Sequence, residues 1–306
     1  MIPFKDIELK DRDFIIEKTM KSNRRNCDLS FSNLCSWRFL YDTQYAIVDG
    51  FLVFKFWANG ELAYMMPVGK GDLKKMIVKL IKDSDKEKQA FRMLGVCEGM
   101  QTDLEEILPN KFAFMNSRDY ADYLYLKTDL AELTGKKYQS KRNHINRFKK
   151  EYPNYEYAEI TPDNIDECLI LEEKWCKAND CDQYEGTGNE RRALTYALKN
   201  FEAIGLYGGL LRVDGEIVAF TFGMPINHDT FGTHVEKADT SINGAYAVIN
   251  NEFAKHIPEQ YIYINREEDL GVPGLRRAKE SYKPTILLEK SVANLIKEEP
   301  IDLIDW

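Results

Sequence analysis

An order of elements that occurs twice along the chain constrains its fold more than any single motif. YAIVDGFLVFKFWANGELAYMMPV (45–68) alternates as three strands joined by Asp49-Gly50 and Asn59-Gly60, dipeptides that suit tight hairpin turns. LYGGLLRVDGEIVAFTFGMPINHDTFGTHVEKA (206–238) reads the same way, with Asp214-Gly215 at the first turn and Asn227-His228-Asp229 at the second. After the first meander, Leu73, Met76, Ile77, Leu80 and Ile81 lie at helical spacing, and AFRMLGV (90–96) follows as a strand. After the second, Ala245, Val248, Ile249 and Phe253 mark a helix, and YIYIN (261–265) follows. Upstream of each meander stand a short strand and two helical segments: FKDIEL, DRDFIIEKTM and SFSNLCSWRF in one case, YEYAEI, PDNIDECLILEEKWCKA and NERRALTYALKNF in the other. Asn189 is the expected N-cap of the last.

The repeated order β-α-α-β-β-β-α-β-α-β predicts an α/β (α+β) protein of two similar domains, each a mixed, mostly antiparallel sheet flanked by helices. The alternative is one large α+β domain whose halves look alike only because strands and helices alternate. At 306 residues with 44% hydrophobic side chains, the chain can fill two cores. The expected join lies near residue 134, giving an N-terminal domain over 1–134 and a C-terminal domain over 135–306 that opens with a basic helix at 135–150.

The net charge of −8 argues against a surface that coats nucleic acid or an anionic membrane. No stretch reaches the roughly 18 apolar residues of a membrane span, and the charged opening has no signal-peptide core. A cytoplasmic protein is expected. Six scattered cysteines lack the density of a disulfide scaffold, so reduced thiols are expected. Cys176 and Cys181 have no partner pair nearby, so no metal is expected.

GKKYQSKRNHINRFKK (135–150) carries seven cations and no acid, against −15 for the rest of the chain (−8 minus 7). Tyr138, Ile145 and Phe148 supply a packed side for this helix. Lys141 and Arg142 are then candidates for phosphate contact, the alternative being a solvated helix between domains.

REEDLGVPGLRRAKESYKP (266–284) follows the YIYIN strand and so emerges at the rim of its sheet. Gly271, Pro273 and Gly274 make a tight connection. The LRRAKESY helix is expected to turn Leu275 and Ala278 inward, and Arg276, Lys279 and Lys283 toward an anion. Glu268 and Asp269 face these cations as candidate salt-bridge partners.

The element order resembles the Gcn5-related N-acetyltransferase (GNAT) fold in tandem, as in Fem-type peptidyltransferases and the C-terminal catalytic domain of phosphatidylglycerol lysyltransferase. The stretch DYADYLYLKTDLAELTGKKYQSKRNHINRFKKEYPNYEY (119–157), with the opening residues, resembles a bacterial family grouped with that domain, and the likeness spans essentially the whole chain. It implies transfer of an acyl or aminoacyl group, with aminoacyl-tRNA or acyl-CoA as donor and no tightly bound cofactor. Candidate partners are tRNA and an amine- or hydroxyl-bearing small molecule, peptide or lipid. Lipid is the less expected acceptor, because the lysyltransferase proper carries a long membrane portion and no such stretch occurs in this sequence. Neither PVGKGDLKK (67–75) nor EKADTSINGAYA (236–247) reproduces the phosphate loop of an acetyl-CoA enzyme, which favours aminoacyl-tRNA over acyl-CoA.

Such transfer requires a neutral amine, an aligned donor and positive charge at the developing oxyanion, but no protein nucleophile. The expected catalytic residues are Lys279 for phosphate or oxyanion contact, as the Fem-type resemblance implies, Asp269 and Glu236 for the amine proton, and Tyr282 as a proton-donating hydroxyl. Asn265, Gly271, Gly274, Arg276 and His234 complete the expected substrate site, with a structural histidine as the alternative for His234. A silent module of the same fold that binds nucleotide, peptide or RNA is the competing expectation, and a small-molecule N-acetyltransferase a third.

Overall fold

The computed structural model describes residues 2–179 and 185–296. They divide into two units: one holds the residues up to Asp122, Glu268–Val272 and those from Leu287 on, and the other Tyr123–Glu267 and Pro273–Ile286.

The first unit begins with β1 (Lys5–Asp6), α1 (Arg12–Met20), α2 (Phe31–Ser36) and α3 (Arg38–Tyr41). Its meander is β2 (Gln44–Val48), β3 (Phe51–Ala58) and β4 (Glu61–Tyr64), continued by β5 (Val68–Gly69), α4 (Leu73–Lys86), β6 (Arg92–Val96), α5 (Glu98–Ile107) and β7 (Phe112–Asn116). Next come β8 (Asp122–Leu126), α6 (Lys127–Glu132), α7 (Gln139–Glu151), β9 (Glu156–Glu159), α8 (Ile165–Ala178), α9 (Glu185–Lys199) and α10 (Phe201–Ile204). The second meander is β10 (Tyr207–Val213), β11 (Glu216–Pro225) and β12 (Thr230–Ala238), followed by α11 (Ala245–His256), β13 (Tyr263–Asn265), α12 (Pro273–Glu280), β14 (Ile286–Leu288) and β15 (Ser291–Leu295).

The hairpin turns form where the sequence places them. Asp49-Gly50, Asn59-Gly60 and Asp214-Gly215 all take positive φ at both residues, the backbone that matches strand twist across a two-residue loop. Asp72 caps α4 by accepting from the Lys75 N–H at 2.9 Å. That sets Met76, Ile77, Leu80 and Ile81 onto the first core beside Val53, Tyr64, Met93 and Ala293. Each such side chain, fully buried, stabilises by about 1.5–3 kcal/mol. In the second unit α11 packs on β10, β11 and β12, with Val248 and Ile249 buried and the Phe253 ring 5.9 Å from that of Phe231. Helix α9 begins at Glu185, so Asn189 lies inside it and is not its cap.

The two sheets share one strand order, and the duplication is confirmed with one change. The first runs β1-β2-β3-β4-β6-β15-β7, with β5 pairing β3; the second, counted from its other edge, runs β9-β10-β11-β12-β13-β8-β14. In each, the sixth position is filled from the other half of the chain. β8, which follows the first copy's elements, pairs antiparallel with β13, and β15, which follows the second copy's, pairs antiparallel with β6 and β7. The units therefore part at residue 122, not near 134, and the first regains the chain at Leu287.

Buried Lys290 ties β15 into the first unit. Its ammonium lies 2.7 Å from Asp122, 3.2 Å from Asp28 and 3.7 Å from the Cys27 sulfur, and also pairs with Glu268. Burial works against its charge, yet these acids hold its pKa well above the ordinary lysine value. Cys27, Asp122 and Glu268 present ligand-type atoms within 4.8 Å of one another, and the lysine supplies positive charge among them. Cys27, Cys35, Cys97 and Cys168 are free thiols, but Cys176 is disulfide-bonded, which corrects the expectation of thiols throughout; Cys181 lies outside the described residues.

Candidate functional site

The candidate site lies where the second sheet parts. β12 and β13 run parallel and pair at Thr230–Tyr263, Phe231–Ile264 and Gly232–Asn265. Beyond that register β12 continues to Ala238, while Arg266 and Glu267 stay with the opposite neighbour through Arg266 N–H to Tyr123 O at 2.9 Å and Tyr123 N–H to Glu267 O at 3.2 Å. A register shift against β11 sets Thr233 opposite Gly223 and Val235 opposite Phe222, leaving His234 as a bulge. Bulges re-aim the side chains that follow. Side chains bridge the opening.

Two polar side-chain contacts cross it. His234 Nδ1 is 2.8 Å from Glu267 Oε1, and Arg266 Nη2 is 2.9 Å from Glu236 Oε1. Asn250, on α11, donates to the other Glu236 oxygen at 3.1 Å. The Arg266 guanidinium lies 5.0 Å from the Tyr282 ring centroid and 5.7 Å from that of Tyr125. Burial opposes its charge, but Glu236 and the two phenols hold its pKa above the usual arginine value. Its Nη1 is enclosed without a hydrogen-bond partner, as is Asn250 Oδ1. An enclosed donor left unmade costs about 1–3 kcal/mol, a cost recovered when an acceptor reaches it.

Lys141 enters from α7 with its ammonium 3.9 Å above the Tyr282 ring. Burial and then the Arg266 charge push its pKa down to about 8, with Glu236 pulling the other way. Burial pushes the Tyr282 and Tyr125 hydroxyls above their ordinary range, which keeps them protonated. The cluster can therefore offer a fixed cation with an open donor beside an amine that loses its proton at about pH 8.

The other expected residues fall as follows. Lys279 is buried, and its Nζ donates to the Arg266 carbonyl at 2.5 Å, while Tyr125 OH donates to the Lys279 carbonyl at 2.8 Å. Its observed bond is to the backbone beneath Arg266. On α12, Leu275 and Ala278 are exposed and Lys279 is buried, the reverse of the expected face, with the Lys279 ammonium bonded to the Arg266 carbonyl. Gly274 and half-buried Arg276 lie on the same helix, and Lys283 is exposed. Asn265 is buried, its Oδ1 accepting from the Glu267 N–H at 2.7 Å. Asp269 and Gly271 belong to the first unit, where the Asp269 carboxylate accepts from the Gly271 N–H at 2.8 Å and pairs with Arg118 at 3.1 Å. Glu268 pairs with Lys290 in the same unit.

Helix α7 and the turn before it pack through Tyr138, Ile145 and Phe148 as expected. Its cations are more occupied than a phosphate surface requires. Arg142 donates to the Leu133 and Gly135 carbonyls, Lys137 pairs with Asp129 and Lys149 with Glu252, while Lys136, Arg147 and Lys150 are exposed. Gly69 is a close-contact residue: at φ +148°, an added Cβ would stand 2.3 Å from the Gly50 carbonyl oxygen. Gly69→Ala is expected to lower stability by about 1–3 kcal/mol in chemical denaturation, because backbone has to move on both sides.

Arg266, Tyr125 and Asn250 were not expected. The available signal for Arg266 is a charged residue directly after a buried strand; Tyr125 and Asn250 carry none, since they reach the opening from a strand supplied by the other half and from a helix face.

The fold is a tandem acetyltransferase-like one. Residues 19–294 match the family described as phosphatidylglycerol lysyltransferase, C-terminal. The chain belongs to that family. A crystal structure from Bacteroides thetaiotaomicron, described as a conserved protein of unknown function, is 72% identical, with a TM-score of 0.95 over 97% of this chain and 100% of that one. The L-PGS structure from Bacillus licheniformis is 15% identical, with a TM-score of 0.66 over 97% of this chain and 94% of that one, a likeness of fold. An uncharacterised protein of Mycoplasmoides gallisepticum is 24% identical over 182 residues, covering 57% of this chain and 56% of that protein, so the match spans about half of the relative's length. Among the described residues no helix is long and apolar enough to cross a membrane.

Proposed function

We propose that the second unit transfers an acyl or aminoacyl group from an activated donor to an amine or hydroxyl acceptor, with aminoacyl-tRNA as the favoured donor. The reading is carried by the enclosed, unpartnered Arg266 Nη1 beside Lys141 in the strand opening. In this reaction the acceptor nitrogen or oxygen attacks the ester carbonyl, the bond to the donor oxygen breaks, and negative charge develops on the carbonyl oxygen. Arg266 Nη1 is the donor for that charge in a site from which water is largely excluded. Neutral Lys141 takes the acceptor proton and returns it to the leaving oxygen. Glu236 fixes the guanidinium, Tyr282 and Tyr125 line it, and Lys279 holds the backbone that carries it. The bridged opening favours an ester donor over acyl-CoA.

The test incubates purified protein with labelled aminoacyl-tRNA and a cell extract as acceptor source. Discharge above the protein-free rate is expected, lowered at least about tenfold by Arg266→Lys, which keeps the charge but loses the fork of donors. Discharge that this variant leaves intact overturns the site assignment. Tight tRNA binding without discharge supports a silent binding module, and release of free thiol from acetyl-CoA moves the donor to acyl-CoA.

A further inference from the structure

A second polar cluster occupies the other side of β12. Neighbouring residues of a strand point to opposite faces, so Lys237 faces away from the Glu236–Arg266 pair. Its ammonium lies 3.4 Å over the Trp175 ring of α8 and 2.9 Å from Glu190 Oε1 of α9. Trp175 Nε1 in turn donates to the Tyr246 hydroxyl of α11 at 3.0 Å. Glu172 stands one helical turn before Trp175, on the same face of α8. It is 2% exposed, and its Oε2 is enclosed with no hydrogen-bond partner. Burial pushes its carboxyl pKa up and Glu190 adds to the effect, while Lys237 and Arg191 pull it down. Four elements thus bring two carboxylates, an indole and a phenol to one place at the end of β12.

The cluster has the chemistry of an alkylammonium receptor. The electron-rich face of tryptophan attracts a cation, and adjacent carboxylates complete its coordination; an alcohol of the same shape gains neither term. Lys237 shows that an ammonium on an alkyl stem fits the indole at close range. The unpartnered Glu172 oxygen is an acceptor left over after that lysine is bound. Glu190 is partly exposed, with 41% of its side-chain surface open, and Tyr246 is 36% exposed, so these two members of the cluster are reached from solvent.

We propose that Glu172, Trp175, Glu190 and Tyr246 form the subsite that anchors an ammonium group of the acceptor, which makes the acceptor an aliphatic amine-bearing molecule. This rests on the acyl-transfer reading above and narrows its acceptor. The two clusters occupy opposite faces of β12, whose edge toward β13 is unpaired past Gly232 while its other edge stays paired with β11.

Cadaverine tests the subsite without any donor, with the matching diol as its uncharged counterpart. Titration followed by tryptophan fluorescence and by calorimetry is expected to show saturable binding of the diamine and none of the diol. Glu172→Gln, which keeps the side-chain shape, and Trp175→Leu should each weaken diamine binding at least about tenfold. Equal binding of diol and diamine, unaltered binding by folded Glu172→Gln protein, or no diamine binding by the wild type each overturns the proposal. Diamine binding in a protein that never discharges a donor leaves the subsite standing and removes the transfer reading. Transfer with no Glu172-dependent binding does the reverse.

Discussion

Lys141→Met protein is expected to transfer acyl groups about a thousandfold more slowly than wild type and to lose most of the pH dependence of the rate. Wild-type turnover should climb with pH and level off above about 8, because the neutral amine is the working form and its pKa is pushed down to about 8. Stability should move the other way in the variant. Between about pH 8 and the ordinary lysine value of 10.5 the unfolded chain holds a proton that the folded chain has released. The unfolded state then binds more protons, so wild-type stability rises with pH through that window. Below it, the folded chain carries a half-buried ammonium beside Arg266 at a cost. Methionine removes the cost, and after allowance for solvent screening of a partly exposed group the variant should gain about 1 kcal/mol at pH 6–7. Steady-state rates from pH 6 to 10, with thermal melts at the same values, check both halves. A variant as active as wild type at pH 8, or one destabilised at pH 6, removes Lys141 as the proton acceptor.

Ala293→Asp is expected to destabilise the first unit by more than about 3 kcal/mol, although the substitution lies in the last strand of the second copy's sequence. Ala293 is fully buried in the first core, facing Met93 across β6 and Phe114 across β7. An aspartate there has no cation within the apolar cluster and no room. Denaturation monitored by hydrogen exchange at β3 and α4 amides should show the loss. Protection at those amides equal to wild type, with loss confined to β11 and α11, would show that β15 belongs with the second core.

The meanders were legible because their signals are local. Asp-Gly and Asn-Gly turns dictate backbone conformation over two residues, and the stripe from Leu73 to Ile81 needs only helical spacing. The partition at residue 122 was not legible, since β8 and β15 have strand patterns that fit either sheet, and which one they join depends on pairing across about 140 residues or more. The face of α12 was misread for a related reason. Leu275 and Ala278 look like a buried pair by hydrophobicity, but the Lys279 bond to the Arg266 carbonyl outweighs their small apolar area. Glu236, Tyr282, Lys141 and Lys279 were picked from sequence and are gathered in one cluster, while Asp269 and Gly271 fall in the other unit. Arg266, the centre of that cluster, heads the quoted stretch that drew attention to it.

Strand traffic of this kind sets a timetable for synthesis. The interior position between β6 and β7 stays vacant on a growing polypeptide until residue 295 has left the ribosome, so the amino-terminal unit cannot finish before the carboxy-terminal one has been made. A nascent chain halted after α7 would carry an unclosed sheet with a waiting gap, and would need chaperone shelter for most of its translation.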